Sequence, residues 1–177
     1  MFNYTDSSPT LTPAQIVIIR HAEKPESGNE LSESGQQRAH LLPIYFNTNE
    51  ILTDFGKPAA IFAAAPRKIG DSIRCIQTVI PLATNLNLEI NQNFTKKNIH
   101  DLEEYVMSNP FYFDRTVIIC WDHLGIPTMA RLFGAMGSPV VWDKNVYDRT
   151  WIIRFGRNEA TRFINFPQKI FPCDTQV

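Results

Sequence analysis

The sequence predicts an α/β fold in which helices cover both faces of a mostly parallel central sheet, a three-layer αβα sandwich. The first observation behind this prediction is a set of three unbroken apolar runs with the composition of buried strands, at residues 16–19, 59–65 and 117–121, and a fourth strand pattern at 151–155 that is interrupted by Arg154. Unbroken runs of this kind are typical of parallel strands that are covered on both faces. The second observation is that helical patterns lie between the runs. Strands that alternate with helices imply right-handed crossovers into one sheet.

The first strand and first helix can be placed from local signals. The run 16–19 contains only β-branched residues and stops at Arg20. A helix is then expected to begin after Ser32, because serine is favoured at the N-cap. Pro43 is expected to kink or end this helix, since proline lacks an N–H and its ring crowds the preceding turn.

The later elements follow from the same patterns. Apolar residues near helical spacing indicate helices, with Pro81 expected to shorten the first of them and Pro127 tolerated in the first turn of the last. The expected elements are a helix over 71–85, a short strand over 88–90, a helix that ends before 109, and a helix over 126–136. The polar segment 1–14 is expected to be a loose lead-in, and the tail 157–177 has no clear pattern.

The composition indicates one globular domain over 1–177. The 177 residues are 44% hydrophobic and 20% charged, with a net charge of −1, which is ordinary for a domain that folds without disulfides. The balanced charge argues against nucleic acid and against an acidic membrane as partners. No run approaches the ~20 apolar residues of a membrane span. The polar start lacks the features of a secretory signal, so a cytoplasmic location is expected.

Polar side chains follow the predicted strands at the points where the chemistry of an α/β fold is found. Ligands of open α/β sheets bind beyond the carboxyl ends of the strands. Arg20 and His21 follow the first strand, His123 follows the third, and Arg74 lies on the helix after the second. If the first and third strands are neighbours, two imidazoles and two guanidiniums meet in one pocket.

Such a pocket suits a phosphoryl group. The planar guanidinium fork matches phosphate oxygens in a bidentate manner. An imidazole held among cations can attack phosphorus and form a covalent intermediate, and the cations stabilise charge on the equatorial oxygens in the transition state. No cysteine or carboxylate stands at metal-ligand spacing from His21 and His123, so no metal is expected.

Four segments around these residues resemble the histidine phosphatase superfamily, whose members share the phosphoglycerate mutase-like fold. Residues 16–23, IVIIRHAE, are similar to the Arg-His-Gly signature of the family, and residues 31–39, LSESGQQRA, to its next helix start. Residues 72–78, SIRCIQT, are similar to the segment with the second phosphate-binding arginine, and residues 117–123, VIICWDH, to the strand that delivers the second histidine. The segments occur in the family's order across most of the chain.

The resemblance implies a phosphatase that hydrolyses a phosphomonoester or a phosphoprotein through a phosphohistidine. In this interpretation His21 is the nucleophile, and Arg20, Arg74 and His123 bind the phosphoryl group. Water then hydrolyses the phosphohistidine. No metal and no organic cofactor is implied, and the partner is a phosphorylated small molecule or phosphoprotein substrate.

The sequence departs from the family pattern at two points. Ala22 stands where the family has glycine, which would crowd the loop if φ were positive there. The acid that protonates the leaving group is also not marked by a motif, since Leu124 follows His123. Without a dedicated acid, good leaving groups such as phosphohistidine or phosphoanhydrides are favoured. The candidates for this acid are Glu23, Asp101, Glu103, Glu104 and Asp122.

Two other functions stay open at this point. One is a phosphoryl mutase, although the short chain has little insertion to hold a small substrate while phosphate moves. The other is a catalytically silent phosphate-binding or interaction module, which the missing acid favours. Substrate specificity is expected to come from the loops 24–30, 44–58, 95–112 and 139–150, which carry no motif that names a substrate.

Overall fold

The computed structural model of the chain describes residues 11–156 and 161–175. The strands in these residues are β1 (Gln15–Arg20), β2 (Ala60–Ala63), β3 (Ile90–Asn91), β4 (Thr116–Trp121), β5 (Arg149–Arg154) and β6 (Arg162–Pro167). The α-helices are α1 (Glu33–Thr48), α2 (Glu50–Thr53), α3 (Arg74–Leu86), α4 (Ile99–Ser108) and α5 (Ile126–Leu132), and a short 3-10 helix spans Pro110–Tyr112.

The strands form one central sheet in the order β3-β2-β4-β1-β5-β6. The pairs β3–β2, β2–β4 and β4–β1 are parallel, and the pairs β1–β5 and β5–β6 are antiparallel. The prediction of a mostly parallel sheet is therefore confirmed. Both antiparallel pairs involve β5, so they lie next to each other on the side of the sheet that ends in β6.

The core follows from the apolar runs of the sequence. Every residue of β1 and β4 is buried, and the four side chains of 16–19 are fully excluded from solvent. Helix α1 packs against α3, and α4 packs against α5, so the sheet is flanked by helices as predicted. Burial of a large aliphatic side chain stabilises a fold by about 1.5–3 kcal/mol, which explains why these runs define the sheet.

The first helix begins as predicted and ends later than predicted. The Ser32 hydroxyl accepts the N–H of Gly35 at 3.1 Å, which is the N-cap contact. Of the two outcomes expected at Pro43, a kink or an end of the helix, the end does not occur, since α1 continues to Thr48. Leu42, Tyr45 and Phe46 on either side of the proline are buried. Their burial outweighs the cost of about 3 kcal/mol for an interior proline.

Other boundaries also differ from the predictions. Helix α3 passes through Pro81 to Leu86, whereas α5 ends at Leu132 rather than at residue 136. Gly134 has a φ of +88° and the N–H of Ala135 donates to the Ala130 carbonyl, a left-handed turn that ends the helix. Strand β6 was not predicted from the tail.

Part of the expected lead-in is attached to the sheet. The Ala14 N–H donates to the Arg115 carbonyl at 2.9 Å, and the Ala14 carbonyl accepts the N–H of Phe155 at 3.1 Å. Residues 1–10 lie outside the described residues, as do 157–160 and 176–177. Among the helices described, none combines the length and the apolar character that crossing a bilayer requires.

Candidate active site

The first and third predicted strands are neighbours, which brings the two predicted histidines to one edge of the sheet. Arg20 of β1 pairs with Trp121 of β4, and the His21 N–H donates to the Trp121 carbonyl at 3.0 Å. The chain after β4 runs through Asp122 to His123 at the same edge. The convergence of the two histidines required the first and third predicted strands to be neighbours, and β1 and β4 are neighbours in the sheet.

His21 is held in one tautomer. Its ring Nδ1 lies 2.7 Å from the Ala22 carbonyl oxygen, and because a carbonyl only accepts, Nδ1 carries the proton and Nε2 carries the lone pair. The Ala22 N–H donates to Thr78 Oγ1 of α3 at 2.9 Å. Ala22 is fully buried and its φ is not positive, so alanine fits here without backbone strain.

The surroundings of His21 keep it neutral. Burial lowers the pKa of His21 to about 4, and the positive charges of Arg20, Arg74 and Lys96 act in the same direction, against the hydrogen bond to Ala22. The side chain is only 4% exposed. A neutral imidazole with a free Nε2 lone pair among cations has the form required of a nucleophile toward phosphorus.

Arg20 is fixed by the loop that precedes β5. Its Nη1 donates to the carbonyls of Lys144 at 2.7 Å and Val146 at 2.8 Å, with Asp143 at 3.3 Å. The guanidinium carbon lies 3.8 Å from the centre of the Tyr147 ring, a cation–π contact. The buried Nε has no hydrogen-bond partner in the described structure, and a buried donor left unpaired costs free energy.

Arg74 stands at the start of α3 and holds the loop after His21. Its Nε donates to the Glu30 carbonyl at 2.9 Å, and its Nη2 donates to the Gly28 carbonyl. The positive charge of Arg74 lowers the pKa of His21, so Arg74 lies near this histidine in the structure. These carbonyls use part of the guanidinium fork that the sequence interpretation assigned to phosphate.

His123 completes the group. Burial lowers the pKa of His123, the charges of Arg20, Lys24 and Lys96 lower it further, and Asp122 raises it. Its buried Nδ1 has no hydrogen-bond partner in the described structure. The four predicted residues at positions 20, 21, 74 and 123 therefore lie in one neighbourhood, and Lys96 joins them.

The five candidate acids differ in their partners and in their exposure to solvent. Glu23 is bound to Arg38 at 2.7 Å, and Asp101 accepts the Asn98 side-chain amide at 2.8 Å. Glu103, whose pKa is raised mainly by burial and is influenced by His100 and Glu104, lies on α4. Glu104 is exposed on the same helix. Asp122 is the candidate acid whose negative charge raises the pKa of His123.

The contacts of Asp122 explain its orientation. Its Oδ1 accepts the N–H groups of Leu124 and Gly125, both at 2.9 Å, and its Oδ2 pairs with Lys96 at 3.5 Å. The regular strand ends before this residue, so the alternation of side chains across a strand does not decide where it points. The carboxylate shapes the turn that carries His123.

Sequence reasoning missed several contributors to the site. Tyr147 and Lys96 lie in loops without a motif, and nothing local marks them. Arg38 had a signal that went unused: it lies on the face of α1 that also buries Ala39 and Leu42, and a charged residue on an apolar helix face indicates a buried ion pair.

Solved structures resemble this chain over most of its length. A phosphoglycerate mutase from Plasmodium falciparum superposes with a TM-score of 0.57 at 12% identity, over 89% of this chain and 92% of that one. The histidine phosphatase fold is the fold of this chain. A mycobacterial glucosyl-3-phosphoglycerate phosphatase shares this histidine phosphatase fold with a TM-score of 0.53 at 15% identity, over 87% of this chain and 97% of that one.

A third likeness, to a structure titled mycobacterial hydrolase 1, has a TM-score of 0.53 at 14% identity and covers 86% of this chain and 97% of that one. No family model matches the sequence, and no curated protein matches it either. The histidine phosphatase fold of this chain is thus established by structure, at low sequence identity.

Proposed function

We propose that this protein is a phosphatase in which His21 Nε2 accepts the phosphoryl group of the substrate. The observation that carries the proposal is the hydrogen bond from His21 Nδ1 to the Ala22 carbonyl at 2.7 Å. It places the lone pair on Nε2 and fixes the ring plane. Attack of Nε2 on phosphorus forms the N–P bond and breaks the ester P–O bond, with the electron pair leaving on the alcohol oxygen.

The neighbouring cations supply the electrostatic part of the reaction. The positive charges of Arg20, Arg74 and Lys96 all lower the pKa of His21. In this proposal the same charges stabilise the negative charge that the equatorial phosphoryl oxygens gain in the transition state. The unpartnered Nε of Arg20 and Nδ1 of His123 are the donor positions that such an oxyanion would use. Loss of one donor of this kind typically costs on the order of 2.7–4 kcal/mol in transition-state stabilisation.

The second half-reaction is the attack of water on the phosphohistidine, which releases inorganic phosphate and restores the neutral ring. Glu23 is engaged with Arg38 and Asp122 with Lys96, so neither is a free acid for a poor leaving group. The proposal therefore favours substrates whose leaving group departs with little proton transfer. A phosphoryl mutase of the same fold would return the phosphoryl group to an alcohol instead.

Two of the structural relatives support this class of chemistry. One is titled a phosphoglycerate mutase, and the other is a glucosyl-3-phosphoglycerate phosphatase, also solved as a complex with VO3, an oxyanion of vanadium. Both activities pass a phosphoryl group between oxygen atoms. A phosphatase releases inorganic phosphate and a mutase does not, so measuring the released phosphate distinguishes these two activities for this chain.

The test compares wild type with His21→Ala on a panel of aryl and alkyl phosphates, with inorganic phosphate as the measured product. We expect kcat/KM to fall by about a thousandfold or more in His21→Ala, and an acid-labile phosphoenzyme to form in wild type only. His40→Ala is the matched control, because His40 is an exposed histidine on α1. Equal rates in wild type and His21→Ala would contradict the proposal.

The silent binding module gives a different result in the same experiment. Such a module would show no phosphate release from any ester and no phosphoenzyme, while inorganic phosphate still raised its melting temperature. Thermal unfolding of the variants, followed by circular dichroism, separates loss of chemistry from loss of folding, which is necessary because His21 is buried and its truncation also removes packing contacts.

A further inference from the structure

One loop outside the sequence motifs reaches the histidine pocket. This loop, residues 142–148, lies between α5 and β5, and three of its backbone carbonyls accept hydrogen bonds from Arg20 Nη1. The centre of its Tyr147 ring lies 3.8 Å from the Arg20 guanidinium carbon and 6.0 Å from the centre of the His21 ring. Tyr147 therefore contacts Arg20 and lies within the usual distance of an aromatic pair from His21.

The hydrogen bonds of Arg20 fix one end of its guanidinium and leave the other end open. The residue is 2% exposed, and its hydrogen bonds to the loop all come from Nη1. Among residues 11–156 and 161–175, no group accepts a hydrogen bond from the buried Nε. A group held at one end can still turn about that end. A second restraint is required if Nε is to keep a constant direction.

The Tyr147 ring supplies this second restraint. A guanidinium is attracted to the face of an aromatic ring, and the attraction is stronger where water is excluded. A guanidinium carbon 3.8 Å from the ring centre is at the separation where dispersion attraction between carbon atoms is also greatest. Rotation about the Nη1 end would move the guanidinium off the ring and lose both attractions. The ring thereby favours one orientation of the guanidinium over the others.

The loop that carries Tyr147 is ordered by its own hydrogen bonds. Trp142 Nε1 donates to the Val146 carbonyl at 2.8 Å. The Asp148 carbonyl accepts the N–H of Gln168 at 2.8 Å. The backbone is thus held on both sides of Tyr147, so the ring is in position before any substrate binds. A positioning group that is itself fixed imposes a defined geometry on its partner.

We propose that Tyr147 is a positioning residue of the phosphatase site, and that its ring orients the Arg20 guanidinium so that Nε donates to the phosphoryl group at His21. The inference rests on the proposed phosphatase function and adds to it a residue to which no motif gives a role. The interaction uses the face of the ring and not the hydroxyl. Phenylalanine would therefore serve at this position, whereas a side chain of similar size without a ring would not.

The test compares wild type with Tyr147→Phe, Tyr147→Leu and Tyr147→Met. The substrate is 4-nitrophenyl phosphate, and orthovanadate is the inhibitor that resembles the transition state. We expect kcat to fall about tenfold in the two variants without a ring, the effect of losing a desolvated cation–π contact, while KM changes by less than about twofold. The orthovanadate concentration that halves the rate is expected to rise by about the same factor as kcat falls. Tyr147→Phe is expected to retain the wild-type kcat.

Nuclear magnetic resonance detects the orientation of Arg20 without relying on turnover. A proton held over the face of an aromatic ring resonates upfield of its ordinary position. The Nε–H signal of Arg20 is therefore expected upfield in wild type and in Tyr147→Phe, and near its ordinary position in Tyr147→Leu. Protein with isotope-labelled arginine shows this signal, which is assigned by its absence from Arg20→Lys. An Arg20 signal at the same position in wild type and Tyr147→Leu would contradict the proposed contact.

Phe111→Leu is the matched control, because the Phe111 ring also lies against an arginine, with 4.7 Å between its centre and the Arg115 guanidinium carbon. Phe111 is exposed and precedes the start of β4, whereas His123 follows its end. We therefore expect the wild-type kcat in this variant.

The outcomes separate this inference from the proposed function. An unchanged kcat in Tyr147→Leu, an equal loss in Tyr147→Phe, or loss of folding in both variants without a ring would overturn the inference while His21-dependent turnover stood. Circular dichroism shows whether the variants fold. Absence of His21-dependent turnover in wild type would overturn the proposed function, and the inference with it.

Discussion

Arg38 binds the Glu23 carboxylate through two nitrogens, with Nε 2.9 Å and Nη2 2.7 Å from Oε1. The other side of the same guanidinium binds Asp174, with Nη2 2.7 Å from Oδ1 and Nη1 3.0 Å from Oδ2. Gln168 also accepts from Nη1 at 3.0 Å. These four side chains, the Arg38 cluster, join the loop that follows His21 to the C-terminal part of the chain.

The first prediction concerns Arg38→Met. This change leaves the Asp174 carboxylate, whose side chain is 3% exposed, without its buried cation. Breaking a buried ion pair by removing one partner costs about 3–5 kcal/mol, and we expect a loss of that size in the free energy of unfolding. Urea denaturation measures it. Arg131→Met, at an exposed arginine of α5, is the control, and a loss below about 1 kcal/mol for Arg38→Met would contradict the prediction.

The same variant changes how stability depends on pH. Burial raises the pKa of Asp174, but the hydrogen bonds from Arg38 and from the backbone outweigh it, so the pKa lies below its ordinary value. A lowered carboxylate pKa gives stability that is present above the unfolded value and is lost as the pH falls through the folded value. The acid limb of the wild-type stability curve is therefore expected to flatten in Arg38→Met.

The second prediction concerns the titration of His21. Its pKa is lowered to about 4 from the ordinary 6.5, so the ring binds a proton more readily in the unfolded chain than in the folded one. The ring is expected to stay neutral from pH 7 down to about pH 5, and its contribution to stability is lost as the pH falls from 6.5 toward 4.

Nuclear magnetic resonance of histidine-labelled protein measures this titration directly. The His21 signals are assigned by their absence from the spectrum of His21→Gln. A titration midpoint at pH 6 or above would show that burial and the neighbouring cations do not act on the ring as described.

The third prediction concerns Gly35, where α1 approaches the loop after His21. A Cβ added at this position would lie 2.3 Å from the Glu23 carbonyl oxygen, so Gly35→Ala must push the helix and the loop apart. Overpacking of this kind costs about 1–3 kcal/mol. Thermal and urea unfolding measure the loss. Gly137→Ala is the control because a Cβ there meets no atom within 4 Å, and equal stability of the two variants would contradict the prediction.

Much of the sheet could be predicted because its strands are apolar runs with sharp polar ends. The run 16–19 became the core of β1, and the run 117–121 became most of β4. The convergence of His21 and His123 followed from the rule that parallel strands end at one edge. The fold and the neighbourhood of the site thus depend on local patterns that sequence alone displays.

What escaped prediction depends on contacts between distant segments. Strand β6 contains exposed and partly buried residues without a strict alternation, and its assignment requires its partner β5. The carbonyls that hold Arg20 come from residues more than 120 positions away, and Asp174 lies 136 positions from Arg38. Contacts of this kind have no period and no motif, so only the folded chain shows them.

The order of the strands has a consequence for biosynthesis. Gln15 of β1 finds its neighbour Thr116 only 101 positions later in the chain, and the antiparallel partner β5 follows later still. A nascent chain on the ribosome therefore carries β1, a strand that is fully buried in the folded protein, unpaired while the middle of the protein is translated. Chains with such long-range pairing fold slowly and expose surfaces that chaperones recognise. The histidine pocket is completed only after β4 has emerged from the ribosome.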